Sequence, residues 1–198
     1  MSKEYDRAYF DRWYRTRGAV GGRDVVARSA RLAVAAAEYI LQRRIRNVLD
    51  VGCGEGSLRA ALRRLRPDVR YDGIDPSTYV VRRFGRRRGI RHGTFAGLAA
   101  GGGRVRYDLV VCADVLHYLP AADVRGGLPG LVRRLRGVAF LQLFTRVDDF
   151  EGDIDGFRPR SAGWYRREFR EAGLVELGLN CWTTDALAVE AASALERR

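Results

Sequence analysis

Lysine is nearly missing from this 198-residue chain: Lys3 is the only one, and arginine supplies the other 35 of its 36 basic residues. No apolar run approaches the ~18 residues that a membrane-spanning helix needs, so no membrane role is expected. The segment Met1 to Arg12 is charged and aromatic and holds no apolar signal region, so a cytoplasmic protein is the expectation. Cysteines are few and scattered. Cys53, Cys112 and Cys181 have no C-x-x-C spacing, so neither a zinc site nor a disulfide framework is indicated, and they read as small space-fillers. Only two histidines are present, His92 and His117, and no metal triad, Cys–His nucleophile or Ser–His–Asp set can be assembled. The formal charge of +12 invites a nucleic-acid reading. Its arginines, however, fall in pairs along helical stretches (Arg43-Arg44, Arg63-Arg64, Arg82-Arg83, Arg133-Arg134), which is the pattern of solvated helix faces, and a nucleic-acid partner is not expected. The length suits one domain that buries roughly 70% of its unfolded surface.

Glycine is concentrated where it carries information. In Val48-Leu49-Asp50-Val51-Gly52-Cys53-Gly54-Glu55-Gly56-Ser57 an apolar run from Ile45 ends at an acid and then at three alternating glycines, with a helix-forming stretch beginning at Ser57. This is a buried strand leaving its sheet through a turn that must pass close to a ligand, because glycine accepts positive φ and offers no Cβ. Amides at the following helix start point at that ligand. A second strand, Tyr71-Asp72-Gly73-Ile74-Asp75, also ends in an acid, and Asp75 lies 19 residues beyond Gly56. That is the separation at which a nucleotide-binding unit sets a carboxylate on ribose hydroxyls.

The glycine pattern is not the dinucleotide fingerprint G-x-G-x-x-G. An acid followed by G-x-G-x-G resembles motif I of the class I S-adenosylmethionine-dependent methyltransferases. The resemblance implies S-adenosylmethionine as cofactor, whose sulfonium and ammonium suit an acidic neighbour better than a pyrophosphate would. Tyr107 to Leu119, with Ala113-Asp114-Val115-Leu116-His117-Tyr118-Leu119 at its end, is similar to the fourth-strand motif of that family. The resemblance covers about residues 45 to 192. It implies cofactor-binding roles for Asp50, Gly52, Cys53, Gly54, Gly56, Asp75, Pro76, Ser77, Thr94, Phe95, Ala113 and Asp114. One departure stands out: the third-strand region, Arg91 to Gly97, has no acid to meet the adenine amine, which leaves backbone and packing near Thr94 and Phe95.

The remaining elements are read from pattern. Tyr5 to Arg17 and Asp24 to Arg44 form two helices before the first strand, a cap over residues 1–44. Tyr9, Trp13 and Tyr14, with Phe10, serve either as an aromatic lid touching the acceptor or as a staple to the core. Residues 45–145 form the cofactor-binding core, with a fifth strand over Gly137 to Thr145. The loop 146–160, with five acids in the eight residues from Asp148 to Asp155, caps the acceptor side and lacks the spacing of a calcium loop. Ser161 caps a helix that Gly173 stops. Leu174 to Thr183 and Ala186 to Ala192 read as a closing hairpin joined at Thr184-Asp185.

These readings predict an α/β doubly wound sheet of seven strands, mostly parallel with the last antiparallel, under an N-terminal helical cap. The expected activity is methyl transfer to oxygen or nitrogen of a small-molecule acceptor, achieved mainly by alignment. His117 is the one candidate base and Tyr118 a further acceptor contact; a histidine at this place in the motif also serves simply to pack beside the cofactor. No metal is expected, and the oligomeric state is not readable. An RNA-modifying enzyme and a non-catalytic scaffold of the same fold are the alternatives. Against the first, Ala113-Asp114-Val115-Leu116 stands where base N-methyltransferases carry an Asn/Asp-Pro-Pro-aromatic motif.

Overall fold

The structure is a computed structural model that describes residues 5–14, 22–100, 105–149 and 153–191, without the side chain of Tyr14. Two helices, α1 (Arg7–Tyr14) and α2 (Arg23–Leu41), precede β1 (Asn47–Val51). The chain then runs α3 (Ser57–Leu65), β2 (Arg70–Asp75), α4 (Thr78–Arg88), β3 (Ile90–His92), β4 (Tyr107–Ala113), α5 (Ala121–Arg134) and β5 (Leu135–Gln142). It closes with α6 (Ala162–Glu171), β6 (Leu174–Gly178), β7 (Cys181–Thr184) and α7 (Asp185–Ala191).

The seven strands form one sheet in the order β3-β2-β1-β4-β5-β7-β6. Strands β1 to β5 pair in parallel, and β7 runs antiparallel to both β5 and β6. The central strands are apolar throughout because helices cover both faces of a parallel sheet. Alternation sends Val48, Leu109 and Val111 toward α2 and α3, and Leu49, Val110 and Cys112 toward α5 and α6. The strand order reverses between β1 and β4, so the crevice outside their carboxyl ends is where a ligand fits in such a sheet.

At the opposite edge Asp108, fully buried, ties three segments together. Its carboxylate accepts two hydrogen bonds from the Arg43 guanidinium at 2.9 and 2.8 Å, one from Arg46 N–H at 2.7 Å and one from Arg136 Nε at 2.9 Å. Burial alone would raise its pKa, but these bonds outweigh it and hold the group at about 2.

Four sequence expectations need correction. The closing hairpin is β6–β7, joined at Leu179-Asn180, and not a pairing across Thr184-Asp185. Leu179 and Asn180 both have positive φ, 50° and 65°, as a tight primed turn demands. Asp185 to Ala191 is helical, since alanine, leucine and glutamate favour the helix and Asp185 sits in its first turn. Strand β5 starts at Leu135, straight after α5, and ends at Gln142 rather than Thr145. There Asp148 accepts hydrogen bonds from the Thr145 N–H and hydroxyl at 2.7 and 2.8 Å and bends the chain away. The first strand and α2 are also shorter than read, α2 stopping where Gln42 takes φ 52°, and α1 starts at Arg7 rather than Tyr5, while residues 15–17 lie outside the described residues.

Candidate active site

The turn after β1 is a cradle built on left-handed backbone. Gly52, Gly54 and Gly56 have φ of 71°, 51° and 79°. A Cβ on Gly52 would lie 2.3 Å from Val115 Cγ2, so only glycine lets β1 and the turn after β4 approach here. The cradle is fixed from β2: Gly52 N–H and Cys53 N–H both donate to the Ile74 carbonyl, at 2.8 and 3.1 Å.

Asp75, at the end of β2, holds the cradle and the next helix at once. One carboxylate oxygen accepts the Gly54 N–H at 2.8 Å and the other the Ser77 N–H at 2.9 Å. Burial raises its pKa, opposed by these two amides. Asp50 is buried behind the turn, accepts the Tyr71 hydroxyl at 2.7 Å, and is pushed by burial up to about 7.

Two cavities open at this edge. The larger, about 500 Å³, is lined by Gly52, Gly54, Asp75, Pro76, Thr94 and Phe95 below and by Tyr5, Tyr9, Phe10 and Tyr118 above. The smaller, about 140 Å³, lies under α2 and is lined by Asp50, Cys53, Ser57, Ala113, Ser29 and Gln142 among others. Gly52 and Asp114 belong to both walls. Nine of the sequence-derived candidates thus meet on the larger cavity, counting Tyr9, Asp114 and Tyr118 with the six named below it. Among the described residues no Arg, Lys or His lines either cavity.

Other candidates stand elsewhere. Gly56 caps α3 and Ser77 caps α4, accepting the Val80 N–H at 3.1 Å. Trp13 lines neither cavity and carries Arg12 over its ring at 5.1 Å, while the Tyr14 side chain lies outside the described residues. Phe10, 2% exposed, stacks on Tyr79 at 5.8 Å and also lines the larger cavity, so α1 staples and covers together. Sequence reasoning missed Ser29, Asp123 and Gln142. Ser29 and Asp123 lie on helices with no motif around them, and Gln142 was hidden inside a strand read as ending at Thr145.

His117 does not reach either cavity, which corrects its candidacy as a base. It is fully buried, its ring centred 4.3, 5.4 and 5.7 Å from Tyr118, Phe144 and Phe157. Its Nδ1 accepts the Phe144 N–H at 3.2 Å, so the basic nitrogen is already engaged. Desolvation lowers its pKa to about 4 and keeps it neutral. We expect His117→Asn to cost less than about tenfold in turnover, below the 10²–10⁴ of a true acid–base group. The effect belongs in stability. Between pH ~6.5, the unfolded histidine pKa, and about 4, unfolding takes up a proton, so stability falls as pH drops through that window. Urea unfolding at several pH values is expected to give a shallower fall for the variant than for the wild-type chain.

Arginines from the segment after the acidic loop clamp the turn that holds His117. Arg158 N–H donates to the His117 carbonyl at 2.8 Å, and the Arg160 guanidinium reaches the Leu119 carbonyl at 2.6 Å while stacking over Trp164 at 4.6 Å. The Tyr118 hydroxyl in turn donates to the Asp153 carbonyl at 2.6 Å. Among the described residues no three His, Cys, Asp or Glu stand close enough to hold a metal ion, and no helix is long and apolar enough to cross a membrane.

Comparison with known proteins agrees with this geometry. The family described as "Methyltransferase domain" matches residues 49–140. Trans-aconitate 2-methyltransferase of Azoarcus sp. (strain BH72) is 29% identical over 146 residues, 73% of this chain, which spans only 56% of that protein's length. In fold, the chain is similar to DesVI of Streptomyces venezuelae (TM-score 0.65, 16% identity, 89% of this chain and 95% of that one). It is equally similar to S-adenosylmethionine-bound CalS10, an amino pentose methyltransferase from Micromonospora echinaspora (TM-score 0.64, 17% identity, 92% and 98%). The cradle fits that cofactor: it is open where a Cβ would block, and the Asp75 carboxylate lines the larger cavity beside Gly52 and Gly54. Its sheet order, its glycine cradle and these matches give the chain the Rossmann-like fold of the class I S-adenosylmethionine-dependent methyltransferases, with a methyltransferase domain matched over residues 49–140.

Proposed function

We propose that this methyltransferase acts on the oxygen or nitrogen of a small-molecule acceptor, and that it works by alignment. The observation that carries the proposal is the larger cavity, about 500 Å³, within the range of small-molecule sites and roofed by aromatic side chains. Gly52, Gly54 and Asp75 would hold the cofactor's backbone-facing side and ribose, and Pro76, Thr94 and Phe95 its adenine. Asp50, Cys53 and Ala113, on the smaller cavity, would face the methionine end. When bound, S-adenosylmethionine supplies an already activated methyl group. The protein's part is therefore to exclude water with Tyr5, Tyr9 and Tyr118, and to hold the acceptor in line with the methyl carbon. Among the described residues no histidine lines the cavities, which supports alignment over proton abstraction. Both small acceptors named among the similar proteins, trans-aconitate and an amino pentose, are compatible with the volume.

The rival acceptor is RNA, favoured only by the net charge of +12. Filter binding of pooled RNA across a salt series separates the two. We expect weak association lost near physiological salt, as for non-specific phosphate contacts. Salt-resistant binding to one RNA, with label transferred to it, would overturn the small-molecule reading.

A further inference from the structure

We infer that the acceptor is an amine that arrives as a cation, and that Asp114 is the residue that selects it. This inference rests on the methyl-transfer reading above. Asp114 is the first residue beyond β4 and stands where the two cavities share a wall. Its backbone is left-handed, φ 58°, which turns the side chain away from the path of the strand. The carboxylate is oriented by neutral groups alone: Gln142 Nε2 donates to Asp114 Oδ1 at 3.4 Å, and Ser29 Oγ donates to Gln142 Oε1 at 3.4 Å. Among the described residues no cation pairs with Asp114, although the chain carries 36 basic residues. A half-buried carboxylate kept without a counter-ion is costly, and burial already raises its pKa. A bound cation would relieve that cost.

The walls exclude the opposite charge. Among the described residues Asp50, Asp75, Asp114 and Asp123 are their only formally charged groups, so a polycarboxylate acceptor would meet repulsion there. Two cations would then share the site, the cofactor's own ammonium and the acceptor. Asp50 opens only on the smaller cavity, at the methionine end, which leaves Asp114, on the shared wall, for the acceptor.

The chemistry follows the charge. The ammonium ion docks against Asp114 and gives one proton to water before attack. The nitrogen lone pair then forms the new bond to the methyl carbon as the carbon–sulfur bond breaks, its electron pair staying on sulfur. Positive charge thereby passes from sulfur to nitrogen, beside Asp114, so the carboxylate pairs with the amine's charge in the docked ground state and in the transition state alike.

Asp114→Asn is the informative variant, because asparagine tolerates positive φ and keeps the shape of the side chain. Two measurements are made on it and on the wild-type enzyme. Calorimetry with S-adenosylhomocysteine, which retains the methionine ammonium, is expected to give affinities within about twofold of each other. Methyl transfer from labelled cofactor is then compared on cyclohexane skeletons bearing amine, alcohol or carboxylate groups. We expect label on the amines, and a KM for amine raised about ten- to a hundredfold by the substitution, with kcat within a few-fold, as for loss of one charged hydrogen bond. A tenfold weaker S-adenosylhomocysteine would mean that Asp114 serves the cofactor and would overturn the inference. So would faster labelling of alcohol or carboxylate than of the matched amine, or an unchanged amine KM. Failure of the wild-type enzyme to bind S-adenosylhomocysteine would sink the methyl-transfer reading itself, a different and separable result.

Discussion

Replacing Gly52 by valine is expected to remove S-adenosylhomocysteine binding altogether. Two costs combine. A β-branched residue at φ 71° carries backbone strain on the order of 1–3 kcal/mol. Its Cβ would also lie 2.3 Å from Val115 Cγ2, so either the cradle or the turn after β4 must move. Because Gly52 borders both cavities, that movement closes the space in which the cofactor is held. The loss in affinity is expected to exceed about a hundredfold, each ~1.4 kcal/mol being tenfold. Calorimetry alongside thermal unfolding checks it. A cooperatively folded variant with unchanged affinity would remove the cradle from the cofactor site. Gly54→Val, at φ 51°, provides a second variant with the same expected loss.

The second large effect concerns Asp75. Its two oxygens already accept the Gly54 and Ser77 amides, so their remaining lone pairs are what face the larger cavity. Asp75→Ala therefore loses the ribose contacts and releases the cradle together. Hydrogen bonds to charged groups contribute roughly 1.5–3 kcal/mol each. We expect at least a ten- to hundredfold rise in Kd, and a smaller loss for Asp75→Asn, which keeps one acceptor oxygen. A change under twofold for Asp75→Ala would make this acid a purely structural strand end.

Much of the glycine turn and the strand end beside it was legible because their constraints are local. A positive φ needs glycine, and an acid closing a strand lies a fixed distance from the loop, so Gly52, Gly54 and Asp75 could be read from spacing alone. The seven-stranded order was legible through the family resemblance of motif I and the fourth strand. What failed depended on contacts distant in sequence. His117 sits in a motif that looks catalytic, yet Phe144 and Phe157 from two other segments enclose it beside its neighbour Tyr118, and no local pattern encodes their arrival. The closing hairpin was misplaced because Leu179 takes a left-handed conformation for which leucine gives no warning. The short apolar run from Ala186 to Val189 fits a strand as readily as a short helix until its packing is seen. Gln142 and Ser29 became visible only when β5 and α2 were brought side by side.

The Asp108 junction has a further consequence for how such a protein can change. It binds the end of α2, β4 and the start of β5 at the edge of the sheet remote from both cavities. Anchorage and recognition are therefore lodged at opposite poles of the same strands. Substitutions on α1, whose Tyr9 and Phe10 line the larger cavity, alter what it admits without loosening that anchor. An ancestral enzyme with this arrangement could exchange one acceptor for another by drift in its rim, while the far pole kept the strands in register.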